Sequence, residues 1–312
     1  MERIGELAAF GTAICWTASA IFFERASKRI GALAVNFYKV CAAFAFLAAA
    51  GFLLRGSPLP LDATPRAWAY LAVSGVVGFL VADYFLFNAY ILVGSRLTVL
   101  FQPLTPLFAA LLGYLVLGER MRSAGLVGMV LVAAGILIVI ASRNASRGEL
   151  AGGPAAVGKG GAARLDPRTA KGLAFALASA LFQAVGLIFT KIGVEGYDAI
   201  AGTQIRVATA IVGFALQGIV TGGARKLFVE ARRDREAMKA TAVGAVFGPF
   251  VGVTLSLVAL KATSAGAAST LMGLTPVLII PPSILLLKQR VRPLEIAGAC
   301  VACAGAALFF LL

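Results

Sequence analysis

Three ionisable residues stand inside apolar stretches of this sequence, where a charge is costly. Lys39 lies in AVNFYKVCAAF, Asp83 in GFLVADYFLFNAY and Arg206 in GTQIRVATAI. Centring such a charge in lipid costs roughly 2.5–3.5 kcal/mol on insertion scales, so each side chain should face a partner or a wet cavity. For the two cations the alternative is snorkelling to the headgroups. Two cations against one acid would leave a positive cavity, which suits a carboxylate or phosphate group.

Asp83 is the acid that lies well inside an apolar stretch, and three roles are open to it. It could pair with Lys39 or Arg206, it could take up a proton during a transport cycle, or it could form a purely structural ion pair. At the equivalent place in the second half of the chain stands Val253. We therefore treat Asp83 as a candidate for both substrate binding and proton coupling.

The elements that carry these residues must be membrane spans. The 312 residues are 60% hydrophobic and 13% charged, with a mean hydropathy of +0.92. The apolar runs are about 18–22 residues long, enough for a helix to cross a hydrocarbon core of ~30 Å. We predict an all-α membrane protein with ten spans, at 7–23, 32–54, 67–87, 97–117, 123–141, 171–190, 199–220, 241–260, 266–287 and 294–312.

The second half of the chain repeats the first. Leu104-Thr105-Pro106 reappears as Leu274-Thr275-Pro276, 170 residues later, and at the same offset Arg120, Arg122, Gly128 and Gly135 meet Arg290, Arg292, Gly298 and Gly305. Each half holds five predicted spans. Because five is odd, the second half must be inverted relative to the first, which is typical of secondary transporters with a substrate site where the halves meet.

The predicted organisation is therefore two repeats, 1–142 and 170–312, joined by a Gly- and Ala-rich linker at 143–169. Within the linker, residues 153–160 nearly match a phosphate-binding loop, but Gly160 replaces the magnesium-binding hydroxyl and no strand precedes it. The sequence also contains no His, which removes His metal ligands, Ser-His-Asp triads and His proton relays. We expect no cofactor and no metal.

Other polar and aromatic residues could line a path between the repeats. The candidate substrate-binding set is Trp16, Lys39, Asp83, Tyr84, Asn88, Gln183, Gln204 and Arg206, with Asn36, Tyr38, Gln102 and Thr203 as further possibilities. Pro106 and Pro276 are expected to kink spans 4 and 9 at matching places, as suits helices that rock during alternating access. Pro249 predicts a further kink in span 8, without a counterpart at Phe79.

The net charge of +14 comes almost wholly from the predicted loops. In a membrane protein such charge indicates contact with anionic lipid, and not nucleic-acid binding. Most Lys and Arg residues follow the odd-numbered spans, so the positive-inside rule places these loops in the cytoplasm and both termini outside.

The stretch LTVLFQPLTPLFAALLGYLVLGERMRSAGLVGMVLVAAGILIVI resembles the EamA-type repeat of the drug/metabolite transporter superfamily. The features it shares are the Pro inside span 4, Gly118-Glu119-Arg120 at its end and a fifth span with spaced glycines; Trp16 in span 1 and the basic Lys39 in span 2 fit as well. The sequence departs from the pattern at Lys288-Gln289-Arg290 and Thr17, has Gln183 where Trp is expected in span 6, and has Lys39 where Arg is common.

The resemblance implies ten helices in two inverted five-helix repeats around a central cavity, with alternating access. It also implies both termini in the cytoplasm, opposite to the charge distribution. We expect a multi-pass protein of the cytoplasmic (inner) membrane, monomeric or homodimeric, that exports small organic metabolites such as amino acids and is not an enzyme. A membrane-embedded enzyme acting on lipid-linked substrates and a passive channel are the alternatives.

Overall fold

The structure is a computed structural model, and it describes residues 2–118, 123–150, 166–263, 265–288 and 291–311. Every regular element in these residues is helical. We number the main helical stretches α1 to α10, and a short helical segment at 226–233 lies between α7 and α8. They are α1 (Glu2–Ile30), α2 (Ala32–Arg55), α3 (Pro65–Val93), α4 (Ser95–Val99 and Leu104–Leu117), α5 (Ser123–Leu150), α6 (Pro167–Gly193), α7 (Ala199–Val220), α8 (Arg235–Ala245, Val246–Gly252 and Val253–Ala262), α9 (Ala265–Met272, Thr275–Leu278 and Ile280–Leu285) and α10 (Pro293–Leu311).

Several helices begin where a side chain caps them. Thr64, Asp166, Asp198 and Asp234 each accept a hydrogen bond from the backbone N–H three residues later, at the starts of α3, α6, α7 and α8. These caps satisfy donors that a helix start leaves free. The turns from α1 to α2 and from α3 to α4 are single glycines with positive φ, so each of these two pairs is joined by a tight turn.

Seven helices of the described residues are long and apolar enough to cross a membrane: α1, α2, α3, α4, α6, α7 and α8. The remaining apolar segments are shorter, at Leu126–Ser142 in α5, Thr270–Leu285 in α9 and Pro293–Leu308 in α10. By length and composition the structure therefore supports fewer than the ten predicted spans. In α9 the reason is physical, because Gly273, Pro276 and the pair Pro281-Pro282 divide the helix into short pieces.

The predicted linker at 143–169 is partly helical. Helix α5 continues to Leu150 and α6 begins at Pro167. The predicted span ends where the apolar residues end, because hydropathy was the criterion. A helix can continue beyond that point with polar residues, as α5 does. The rest of the predicted linker, including the loop-like sequence at 153–160, lies outside the described residues, as do Glu119, Arg120, Arg122, Gln289 and Arg290.

The packing obeys a two-fold relation between the halves. Helix α1 packs against α8 and α9, and its counterpart α6 packs against α3 and α4. The counterparts α2 and α7 pack against each other, and so do α5 and α10. Exchanging every helix for the one five places along the chain therefore reproduces this pattern of neighbours.

Counterpart helices run antiparallel. In α2 and α7, Leu33 lies beside Gly223 at one end of the pair, and Gly51 lies beside Gln204 at the other. In α5 and α10, Gly135 contacts the backbone of Ala302, whereas Gly305 lies against residues 128–132. A two-fold axis that relates antiparallel helices must lie across the helix direction.

Matching hydrogen bonds join the exchanged pairs. The Ser74 hydroxyl in α3 donates to the Gly186 carbonyl in α6 over 2.7 Å, and the Ser19 hydroxyl in α1 donates to the Gly244 carbonyl in α8 over 2.9 Å. Ser74 is the counterpart of Gly244, 170 residues later. In the first two spans of each half the offset is 167 residues, as for Lys39 and Arg206, so Ser19 is the counterpart of Gly186. The α3–α6 pair and its counterpart, the α8–α1 pair, are therefore joined by a hydrogen bond at the same place. In the first pair the serine donor lies in α3, and in the second it lies in α1, the counterpart of α6.

We name the two ends of the bundle by their loops. The terminal face carries the start of α1, residues 56–64, residues 194–198 and Thr263. The linker face carries Gly31, Gly94, residues 221–234 and residues 286–288. Ion pairs lie at both ends, Arg55 with Asp62 at the terminal face and Arg29 with Asp234 at the linker face.

Candidate functional site

A cavity of about 680 Å³ lies between the two halves. Its lining comes from α1, α2, α3, α4, α6, α7, α8, α9 and one residue of α10. The lining is mainly apolar, with aromatic rings from α1 and α3, and the charged side chains in it are Lys39, Asp83 and Arg206. All three in-span charges found in the sequence therefore meet in one cavity.

Lys39 and Asp83 form a buried ion pair. The Lys39 Nζ lies 2.5 Å from the Asp83 Oδ2, and both side chains are buried. The same ammonium lies 4.6 Å from the centre of the Phe87 ring, and the Asn36 amide donates to the backbone carbonyl of Asp83. Of the partners open to Asp83 in the sequence, the structure selects Lys39. The two charges offset each other inside the cavity wall.

Arg206 is held differently. Its guanidinium carbon lies 4.6 Å from the centre of the Phe79 ring. Among the described residues it forms no ion pair, and its buried Nε has no hydrogen-bond partner. Gly75 and Gly78 of α3 leave the room for it, because a Cβ at Gly75 would overlap the Arg206 backbone and one at Gly78 would lie 3.3 Å from Nη2. A cation on an aromatic face inside a low-dielectric cavity can still accept an anion.

Helices α3 and α8 both widen to a π-helix where they line the cavity, at Val76–Val81 and Val246–Gly252. Residues 76 and 246 are counterparts. Pro249 lies inside the π-helix of α8, and α3 has a π-helix at the counterpart position although Phe79 stands where α8 has Pro249. Such π turns redirect the residues that follow them, here Asp83 in α3 and Val253 in α8.

Helices α4 and α9 are interrupted at counterpart positions as well. The helix of α4 breaks at residues 100–103 and that of α9 at 273–274, each just before the Thr-Pro of the repeated motif. Pro106 and Pro276 both line the cavity. Since each proline lacks a backbone N–H, the preceding turn cannot complete its hydrogen bonds as a regular α-helix.

The structure brings most, but not all, of the predicted site residues to the cavity. Trp16 and its counterpart Gln183 line it, as do Gln102 and Thr203. Tyr84, Asn88 and Gln204 are not among the lining residues. They are placed elsewhere for separate reasons.

Tyr84 and Asn88 lie on another side of α3 from Asp83. Tyr84 is exposed on the outside of the bundle and contacts the rings of Phe85 and Phe175. Asn88 donates to the Tyr84 carbonyl one turn earlier in its own helix. Gln204 is fully buried and donates to the carbonyl of Pro58 over 2.8 Å, so it holds the loop between α2 and α3. Asn36 and Tyr38 also lie off the lining.

The aromatic wall of the cavity was missed by the sequence reasoning. Phe79 and Phe87 stand four residues before and after Asp83, and Tyr90 lies one turn further along α3. In a helix this spacing places them on the face of Asp83. The spacing was therefore the signal that could have identified them.

The linker face has contacts that lack comparable counterparts at the terminal face in the described residues. The last part of α3, Ala82–Val93, packs against α1 and α2, whereas its counterpart Val253–Ala262 makes no comparable contact with α6 or α7 in the described residues. At the linker face the buried Glu24 carboxylate accepts from the Ser95 N–H over 2.6 Å and pairs with Lys28, and Arg96 lies 3.2 Å from Glu295. These contacts join α1, α4 and α10 at the linker face.

Comparison with known proteins identifies the scaffold. The model of the EamA-like transporter family matches residues 3–141 and again 170–311. A crystal structure of another protein superposes with a TM-score of 0.61 at 19% sequence identity, covering 99% of this chain and 96% of the other. At this identity the likeness shows the fold alone. No curated protein matches the chain. Since the family model accounts for both halves that enclose the cavity, the chain belongs to the EamA-like transporter family, within the drug/metabolite transporter superfamily.

Proposed function

We propose that this protein is a secondary transporter of small organic solutes, such as amino acids and related metabolites, that works by alternating access. Its architecture in this proposal is ten spans in two inverted repeats, 1–142 and 170–312, joined by the segment 143–169. The antiparallel counterpart helices and the exchanged packing support the inversion. Export across the cytoplasmic membrane is the direction that we propose, on the family likeness.

The observation that carries the proposal is the cavity itself. It lies between the pseudo-symmetric halves and holds all three in-span charges. Its volume falls in the range of small-molecule sites, roughly 300–1,000 Å³. In this proposal the contacts around Glu24 and Arg96 form a closed gate at the linker face, because alternating access requires that the two gates never open together.

The proposed cycle moves the closure from one face to the other. The interrupted helices α4 and α9 and the π turns of α3 and α8 lie at the cavity wall, at counterpart positions. They provide backbone that can bend without breaking long runs of helical hydrogen bonds. Because the halves are related by exchange, the packing of Ala82–Val93 against α1 and α2 at the linker face has an available equivalent at the terminal face, the packing of Val253–Ala262 against α6 and α7.

Cysteine accessibility tests this mechanism without a known substrate. In a variant whose four native Cys are replaced by Ala, single cysteines would replace Thr203, near the terminal face, or Val99, near the linker face; both residues line the cavity. A membrane-impermeant maleimide should label Thr203→Cys quickly and only from the terminal side. It should label Val99→Cys slowly and only from the linker side.

A bulky maleimide adduct in the cavity distinguishes a transporter from a passive channel and from a membrane-embedded enzyme. In the double variant, a bulky adduct on Thr203→Cys should suppress the labelling of Val99→Cys from the linker side, because the terminal face is then held open. Labelling of both positions from both sides would indicate a passive channel. A Val99→Cys that never reacts would indicate a site open to one face only, as in a membrane-embedded enzyme. Either result would overturn the transporter proposal.

A further inference from the structure

The charge balance of the cavity restricts the solutes that it can hold. Lys39, Asp83 and Arg206 are the charged side chains in the described lining. The first two offset each other across 2.5 Å, so the remaining net charge is that of one guanidinium. A buried charge without a partner is unfavourable, and a ligand of opposite charge removes that cost.

The origin of this net charge is a single break in the internal symmetry. Lys39 and Arg206 occupy corresponding spans of the two halves. The residue that neutralises Lys39 is Asp83, and the counterpart of Asp83 is Val253, which also lines the cavity. The second half therefore presents its cation without the carboxylate that the first half provides.

The surroundings of Arg206 favour a carboxylate as its partner. The planar guanidinium matches the two oxygens of a carboxylate, which Lys cannot do. Its Nε has no hydrogen-bond partner among the described residues, and the same is true of the Gln102 side-chain amide nitrogen and the Thr105 hydroxyl in the same lining. Each of these groups can donate a hydrogen bond to an acceptor on a ligand.

The rest of the lining is apolar. The rings of Phe23, Phe79, Phe87 and Trp16 contribute to it, with aliphatic side chains between them. A solute that fills about 680 Å³ of such space gains by having an apolar body. A small dianion would place its second charge against these rings without a counter-charge.

We propose that the cavity selects monovalent organic anions, with one carboxylate bound by Arg206 and an apolar body against the aromatic wall. This rests on the proposed function, since it takes the cavity to be the substrate site. Lys39 and Asp83 act in it as a neutral pair that shapes the wall, so Arg206 is the specificity-determining charge.

Matched ligands test the proposal by thermal unfolding of the purified protein. The probes are 3-phenylpropanoate and octanoate as carboxylates, 3-phenylpropanamide and octanamide as neutral counterparts, phenylalanine as a zwitterion and 2-phenylsuccinate as a dianion. A ligand that binds the folded state raises the unfolding temperature in proportion to ln(1 + [L]/Kd). At least one monocarboxylate should bind tenfold or more tightly than its amide, and more tightly than the zwitterion and the dianion.

Variants assign the preference to Arg206. Arg206→Gln should bring the ratio of carboxylate to amide affinity close to one. Val253→Asp, which supplies the missing carboxylate, should do the same while Arg206 stays in place, and Val253→Asn is its control. The double variant Lys39→Gln with Asp83→Asn removes the neutral pair and should keep the preference.

Four results would overturn the proposal: no carboxylate preference in either pair, a preference that survives Arg206→Gln, tighter binding of the zwitterion, or tighter binding of the dianion. Failure here can be told apart from failure of the transporter mechanism, because the maleimide experiment uses no ligand. Reciprocal labelling without a carboxylate preference would leave alternating access standing and remove only the substrate class.

Discussion

The two halves of this protein match in packing and differ in charge. In the first half Lys39 is joined to Asp83, whereas in the second Arg206 stands over Phe79 and Val253 takes the place of the acid. Meanwhile Ser19 and Ser74 make the same hydrogen bond on exchanged helices. The comparison teaches that the helix packing follows the internal symmetry, whereas the charges of the cavity and the contacts around Glu24 depart from it.

The largest difference in stability between the two halves is expected on substitution of the Lys39–Asp83 ion pair. Asp83→Asn leaves the Lys39 ammonium buried without its partner and should lower the free energy of unfolding by about 3–5 kcal/mol. Arg206→Gln removes a cation that has no carboxylate partner in the described residues, so it should change stability by less than about 1 kcal/mol. Thermal unfolding in detergent measures both.

The double variant Lys39→Gln with Asp83→Asn is the control for that prediction. Because it removes both charges together, it should recover most of the stability that Asp83→Asn loses. Equal losses for Asp83→Asn and Arg206→Gln would contradict the distinction between a paired and an unpaired cation.

The linker-face contacts, which we propose to form the closed gate, offer the second test. Glu24 is buried and holds the Ser95 N–H and Lys28, so Glu24→Ala should weaken closure by roughly 1.5–3 kcal/mol, the range for hydrogen bonds to charged groups. That corresponds to a shift of about 10- to 150-fold in the ratio of open to closed states. Maleimide labelling of Val99→Cys from the linker side should accelerate, and labelling of Thr203→Cys should slow.

Glu24→Gln serves as the matched variant, since its amide oxygen can still accept from Ser95 while the charge is lost. It should give an intermediate rate at Val99→Cys. If Glu24→Ala left both labelling rates unchanged, these contacts would not be part of the gate.

Equivalent substitutions in α5 and α10, which pack as counterparts, should lower the stability by similar amounts. Gly135 and Gly305 are counterparts in α5 and α10, and a Cβ at Gly135 would lie 2.5 Å from the Ala302 nitrogen and the Gly298 carbonyl. At Gly305 it would lie 2.7 Å from the Leu131 Cβ and the Val132 nitrogen. Substitution to Ala at either place overpacks the helix pair and should cost about 1–3 kcal/mol.

Thermal unfolding again provides the measurement, with Leu137→Ala as the control. Leu137 lies on the exposed side of α5, where truncation leaves no internal void. Similar losses for Gly135→Ala and Gly305→Ala support exchange symmetry in this helix pair. A large loss at only one of them would mean that α5 and α10 do not pack as counterparts.

The sequence predicted the helical class and the repeat, because hydropathy and spacing carry that information, and it offered a shared cavity for the three in-span charges as a hypothesis. It did not predict which polar residues face the cavity. Gln204 and Arg206 are two positions apart, and two residues turn an α-helix by about 200°, so the two point in nearly opposite directions. Nor could it choose between Lys39 and Arg206 as the partner of Asp83, since that depends on tertiary distance.

The sequence also did not predict the π-helix in α3. Pro249 gave a reason to expect a bend in α8, but the π turn of α3 at Val76–Val81 contains no proline. Its position is set by tertiary packing, in which Gly78 lies against Gly186 and Arg206 needs room beside it. The local sequence VVGFLV contains no residue pattern that predicts a π-helix.

The smallest effect on stability is expected at the loops, where each face carries an ion pair between an Arg and an Asp. Hydrogen bonding to the Arg55 guanidinium lowers the pKa of Asp62 at the terminal face, and hydrogen bonding to Arg29 lowers the pKa of Asp234 at the linker face. A carboxyl whose pKa is lowered by folding stabilises the fold above its unfolded pKa of about 3.9, and this contribution is lost as the pH falls through the folded value. Both groups are exposed to solvent, so the contribution is small.

Asp62→Asn and Asp234→Asn should therefore each lower the unfolding temperature slightly at pH 7 and by similar amounts. Between about pH 5 and pH 3 the difference from the unsubstituted protein should shrink, because the wild-type carboxylates become protonated as well. Added salt at pH 7 should reduce it in the same way. If one variant lost much more than the other, the loops would share the asymmetry of the gates; equal small losses would confine that asymmetry to the cavity and the linker-face contacts around Glu24.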